Sequence, residues 1–149
     1  MDAHDWAEKA AQQIKEQREK AALETRKRLQ DAEMVKTHGL EIWKKVSEAI
    51  KQRAVELNKV SAEEVISIQV PGLYVIEIQP KNCRNVTLKF DNRKAELNFE
   101  RYDSAAKYTL KVAGDNEVSF CDRTGTPYTL DQVAEEILDQ VVSYIDAAN

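Results

Sequence analysis

The chain has 149 residues, 42% of them hydrophobic and 32% charged, with a formal net charge of −4. That length suits one domain of common size. No apolar run approaches the roughly 18 residues of a membrane span. The opening Met1-Asp2-Ala3-His4-Asp5 is acidic with no apolar stretch behind it, so neither a span nor a secretory signal is expected. Cys83 and Cys121 are far apart and in no metal or redox spacing, which sets a reducing, cytoplasmic location as the default.

Charge is spread unevenly. Residues 1–39 hold eight acids and eight bases and are neutral. Residues 81–111 hold eight bases and four acids, whereas residues 112–149 hold eight acids and one base.

Residues 1–38 read as a helix, because Ala, Gln, Glu, Lys and Arg fill them. Its large apolar residues are sparse: Trp6, Ile14, Leu23, Leu29, Met34 and Val35. Acid-before-base pairs at Asp5–Lys9, Glu16–Lys20 and Glu24–Arg28 would each add about 0.2–0.5 kcal/mol. Ile14, Ala21 with Ala22, and Leu29 form a thin apolar stripe, short of a sustained heptad. A helix this polar bridges, self-associates or lives on side-chain pairs in solvent. Three readings stay open for it: a self-associating helix, a frayed extension, or a helix laid on its own domain. Its end is expected near His38-Gly39, with His38 close to the C-terminal dipole, although continuity through Gly39 is slightly favoured.

A second segment is amphipathic. Trp43, Val46, Ile50, Ala54 and Leu57 step by three or four onto one face, and the helix should stop near Asn58. From Val65 the period changes to two. Val65–Val70 and Leu73–Gln79 flank a turn expected at Pro71-Gly72. Strands with Val86, Leu88 and Phe90, then Ala95, Leu97 and Phe99, then Ala106, Tyr108, Leu110 and Val112, then Val118 and Phe120 follow, with turns at Asp91-Asn92-Arg93, Asp103-Ser104 and Gly114-Asp115-Asn116. These short gaps allow only antiparallel neighbours. Gly125-Thr126-Pro127 is expected to end the sheet. Thr129 and Gln132 form a capping box for a last helix with Leu130, Ala134, Ile137, Leu138, Val141, Val142 and Ile145 on its apolar side.

The expected fold is therefore α+β: a long polar N-terminal helix (1–38), then a domain (39–149) of an amphipathic helix, a six-stranded antiparallel meander and a C-terminal helix on the same sheet face. The other sheet face, with Thr87, Lys89, Glu96, Asn98, Glu100, Lys107, Thr109 and Lys111, reads as solvated. In outline this resembles the helix-grip ligand-binding folds. It departs from them in lacking a strand before the helices, and no motif of theirs aligns residue by residue.

Motifs that carry chemistry are sparse. His4 and His38 sit in or beside the polar helix with no nucleophile motif. Asp2, His4 and Asp5 are a poor preorganised metal site, and Cys83 and Cys121 read as inert thiols. The four glycines form no phosphate loop. Asn85-Val86-Thr87 matches a glycosylation sequon and reads as chance. Glu77, between Ile76 and Ile78, reads as solvent-facing. Lys89, Lys107 and Lys111, with Tyr102, suggest a nucleic-acid surface, but Glu96 and Glu100 should interleave with the lysines and the chain is acidic overall. Nucleic acid is not the expected partner. The expectation is a non-enzymatic interaction or assembly protein without cofactor or metal. It would use Ile14, Ala21 and Leu29 to bind itself as a homodimer or to bind a protein partner. The alternative is a carrier of a small apolar ligand held between sheet and helices.

Overall fold

The computed structural model describes residues 2–100, 107–114 and 116–148. Tyr102, the turn expected at Asp103-Ser104, Ala106 and Asp115 lie outside them. The fold is α+β: helix α1 (Ala3–Ser61), strands β1 (Ile66–Gly72), β2 (Val75–Pro80), β3 (Val86–Asp91), β4 (Glu96–Glu100), β5 (Lys107–Val112), β6 (Val118–Cys121) and β7 (Pro127–Tyr128), and helix α2 (Leu130–Ala148). The chain divides into two compact units, Met1–Glu33 and Met34–Asn149.

The two expected N-terminal helices are one. α1 continues through Gly39, which is buried, so His38 is an exposed mid-helix residue and not a helix end. A Cβ on Gly39 would meet Leu110 Cδ1 at 3.5 Å and Phe90 Cζ at 3.7 Å, ordinary contact distances. α1 also runs past Asn58. The left-handed residue after it is Ala62, with φ 56°. Asn58 does something else: its Oδ1 accepts from the Val65 and Ile66 amides at 2.8 and 3.1 Å, and its Nδ2 donates to the Ile66 carbonyl at 2.8 Å. One side chain thereby pins the start of β1 to the helix.

The described strands form a seven-stranded antiparallel sheet in sequence order, one more than the six expected. The extra strand is β7, whose Tyr128 and Pro127 pair with Phe120 and Cys121. Two residues are too few to show a period, so alternation could not reveal it. The β1–β2 turn is also displaced. Pro71 and Gly72 belong to β1, Gly72 pairs with Val75, and Leu73-Tyr74 make the turn after a register shift beyond Gln69. Trp43 Nε1 donates to the Leu73 carbonyl at 2.9 Å, which ties this turn to α1.

Alternation puts one sheet face under the helices, as the sequence predicts. Ile66, Ile76, Ile78, Val86, Leu88, Phe90, Leu97, Tyr108, Leu110 and Phe120 pack with Trp43, Val46, Ile50 and Ala54 of α1 and with Val133, Ala134, Ile137, Leu138 and Val141 of α2. Leu57 and Phe99, expected inside, are half-buried at its margin. The Trp43 and Phe90 rings stack at 5.8 Å, and Phe120 meets Phe90 edge-on at 6.1 Å. Across the helices, Arg53 reaches Asp131 at 3.2 Å and Glu135 at 3.1 Å. The capping box forms as expected: Thr129 N donates to Gln132 Oε1 at 2.9 Å and Gln132 N to Thr129 Oγ1 at 3.1 Å.

Two stability changes are expected. Ile50→Ala empties a site with 0% exposure. It should cost about 2–5 kcal/mol in chemical denaturation, and an unchanged midpoint would place Ile50 outside the core. Gly39→Ala should instead stabilise by about 0.5–1 kcal/mol, because the methyl fits and a helix-interior glycine is unfavourable. A lower melting temperature would mean that Leu110 and Phe90 cannot accommodate it.

Candidate interaction surface

Residues 3–33 are helical for local reasons: helix-forming composition and a capped start. The Asp2 carboxylate accepts from the Asp5 amide at 2.8 Å, as an N-cap does. None of the three expected acid–base pairs is among the ion pairs formed by the described residues. Glu8 takes His4 at 3.1 Å, and Glu16 takes Gln12 at 3.2 Å. An exposed pair contributes only a few tenths of a kcal/mol, so the helix loses little without them.

The apolar side chains of this segment are bare. Trp6 is 66% exposed, Ile14 48%, Leu23 61% and Leu29 66%. Ala21 is exposed as well. At about 100° per residue, Ile14, Ala21 and Leu29 fall within about 80° of one another. Ala3, Ala7, Ala10 and Ala32 share that stripe, Trp6 borders it, and Leu23 faces away. The residues singled out from sequence thus share one exposed face.

A second concentration of polar groups sits at the β6–β7 corner, and sequence reasoning missed it. Asp122 Oδ1 accepts from Thr124 N at 2.9 Å, Thr124 Oγ1 at 2.6 Å and Thr126 N at 3.0 Å, while its Oδ2 accepts from Tyr128 OH at 2.9 Å. These donors, the Thr124 hydroxyl foremost, hold the Asp122 carboxyl down at about 2, against a smaller opposing effect of desolvation. Gly125, with φ 84°, supplies the left-handed turn. The Tyr128 ring meets Tyr108 edge-on at 5.5 Å. Among the described residues the buried Tyr108 hydroxyl has no well-formed hydrogen-bond partner, and burial first, then the nearby Glu136 carboxylate, raises its pKa. A carboxylate kept ionised and saturated by its own turn is a staple for that turn and a weak proton acceptor. An Asp followed by Thr at the second and fourth positions and Tyr at the sixth was the signal available. Beside this corner is an open groove of about 550 Å³ lined by residues including Glu117, Val118, Tyr128 and Leu130.

On the open sheet face the strand register sets which acids and lysines are neighbours. Lys89 lies opposite Asn98, which lies opposite Lys107; Glu96 lies opposite Asp91 and Thr109. Acids and lysines are therefore diagonal neighbours. Glu77, paired with Gln69 and Thr87, is half-buried. Cys121 is buried, which raises its thiol pKa, and Cys83 is half-buried; both are free. Among the described residues no three His, Cys, Asp or Glu side chains converge as metal ligands, and no helix is long and apolar enough to cross a membrane. Comparison with protein-family models, curated proteins and solved structures yields no match.

The Asp122 geometry carries a pH prediction. Its folded pKa lies below that of the unfolded chain, so its contribution is fully present above the ordinary carboxylate value near 4. That contribution is lost as pH falls toward about 2. Tyr128→Phe should raise the Asp122 titration midpoint seen by NMR, and Asp122→Asn should flatten the acid limb of stability. A midpoint near 4 in the wild type would overturn the assignment.

Proposed function

We propose that this chain is a non-enzymatic interaction or assembly protein whose working surface is the Ile14, Ala21 and Leu29 face of its N-terminal helix, with self-association as the mode. The observation that carries the reading is the exposure of Trp6, Ile14 and Leu29 on or beside one face of a helical segment that, Leu23 apart, is otherwise made of polar residues and alanine. Isolated helices gain little from propensity, and most helical stability in proteins comes from packing an apolar face. Charge supports it too. Residues 1–39 are neutral while the rest of the chain carries the whole −4, so two copies meet least repulsion at this segment.

The alternative, a carrier of small apolar ligands, is less well supported. A cavity for such a ligand would leave its lining accessible to a water-sized sphere. Val46, Ile50, Ile76, Ile78, Val86, Val133, Ile137 and Val141, which line the space between sheet and helices, are each 0% exposed. The open groove near Tyr128 is the place that reading would have to use.

Light scattering and sedimentation of the full chain test the proposal. A dimer at micromolar concentration is expected, and Ile14→Asp with Leu29→Asp should return it to monomer with an unchanged sheet signal, because charges at a helix seam are costly to bury. A wild type that remains monomeric at high micromolar concentration would sink self-association.

A further inference from the structure

We propose that the groove beside Tyr128 binds an extended basic peptide, which adds to the sheet at the open edge of β6. This site owes nothing to the N-terminal helix.

The ladder shows where the edge is open. Ala113 N donates to the Glu117 carbonyl at 2.8 Å, and bonded pairs alternate with unbonded ones along an antiparallel ladder. Val112 and Val118, paired one step further in, are therefore an unbonded pair, and the Val118 amide and carbonyl point away from β5. The next residue with that orientation, Phe120, pairs with Tyr128 of β7. Continued by two residues, β7 would set Leu130 opposite Val118, but Leu130 begins α2. Thr129 cannot serve instead. Its amide donates to Gln132 Oε1 at 2.9 Å, and its carbonyl accepts from the Val133 amide at 3.0 Å. Among the described residues no group takes the Val118 amide and carbonyl. The other edge of the sheet is interrupted at both ends. Asn58 takes the Ile66 amide and carbonyl, and the ladder shifts beyond Gln69 at Pro71, which has no amide.

The surroundings of Val118 suit a peptide strand. With Ala113, Pro127, Tyr128 and Leu130 it lines the groove of about 550 Å³, a volume within the range of ligand sites, about 300–1,000 Å³. Val118, Tyr128 and Leu130 are half-buried at the margin of the core. An extended residue opposite Val118 would exchange two main-chain bonds with it and rest its side chain on these three, which calls for an apolar side chain there. Its neighbour falls opposite Glu117, exposed at the rim, where a base makes the favourable cross-strand pair. The wider field has the same sign, since residues 112–149 carry eight acids and one base. That field disfavours acidic peptides and nucleic acid.

Titration of the full chain with fluorescein-labelled Lys-Thr-Val-Lys-Thr-Lys-amide, followed by anisotropy and by proton–nitrogen NMR, tests this. Saturable binding is expected, with the Val118 amide among those that shift most. Methylating the peptide's valine amide should weaken binding at least about tenfold, because that N–H pairs with the Val118 carbonyl. Methylating the amide of the lysine that follows should not, because that N–H points away from β6. Glu117→Lys, at an exposed position, should weaken binding with the sheet signal unchanged. Binding that tolerates either methyl equally would be charge attraction alone and would overturn strand addition. Binding that leaves the Val118 amide unmoved would place the peptide elsewhere, and no binding at millimolar peptide would mean that this edge takes no strand; either result overturns the proposal.

Discussion

The rest of the Met34–Asn149 unit depends on closing one face of an antiparallel meander. Such a sheet exposes an apolar side along its whole width, and a single short helix cannot cover it. Two helices cover it together, α1 from Val35 onward and α2. Ile50 and Val46 from one, and Ile137 and Val141 from the other, meet Ile76, Ile78 and Val86 with no exposure left. Polar contacts then fix where the covering helices lie. Asn58 holds the β1 start, Trp43 Nε1 holds the β1–β2 turn, and Arg53 holds both Asp131 and Glu135 of α2. The Asn58 and Trp43 contacts use groups partly withdrawn from water, where an unmade bond costs about 1–3 kcal/mol, whereas the exposed Arg53 pairs contribute less.

Much of this is legible because burial writes a period into the sequence. The two-residue alternation through Leu88, Leu97 and Leu110, and the three-to-four spacing of Trp43, Val46 and Ile50, need no further information. What escapes depends on contacts distant in sequence. Pro71-Gly72 has turn chemistry, yet the turn is Leu73-Tyr74, where the pairing of Gly72 with Val75 closes the hairpin and Trp43 takes the Leu73 carbonyl. Asn58 resembles a helix stop because asparagine tolerates left-handed backbone, but its amide serves β1 while Ala62 takes that conformation. Gly39 resembles punctuation, but it is a buried helix-interior residue where an added Cβ would meet Leu110 and Phe90 at ordinary contact distances.

The polar clusters divide along the same line. The Asp122 corner is assembled by a turn that threads four donors onto one carboxylate, a convergence visible only in three dimensions. The N-terminal face needs nothing but helical winding to bring Ile14, Ala21 and Leu29 together, so their spacing alone names it. Spacing does not say what covers that face.

A face of this composition also bounds the strength of what it can hold. Alanine buries no more than a methyl group, and one methylene contributes roughly 0.8 kcal/mol. Most of the stripe therefore supplies close approach, and Trp6, Ile14 and Leu29 supply most of the energy. Association carries an entropic cost of at least about 4 kcal/mol. Three large side chains per copy, each contributing about 1.5–3 kcal/mol when fully buried, give about 4.5–9 kcal/mol per copy, which offsets only the lower part of an association cost that runs from about 4 to 15 kcal/mol. An arrangement that left Trp6 or Leu29 at a frayed, unpaired end would forfeit a third of the apolar contribution. A lost anchor therefore matters more on this stripe than in a long leucine seam, where one position is a small fraction of the total. With so few anchors, any association through this face is bounded to a modest strength.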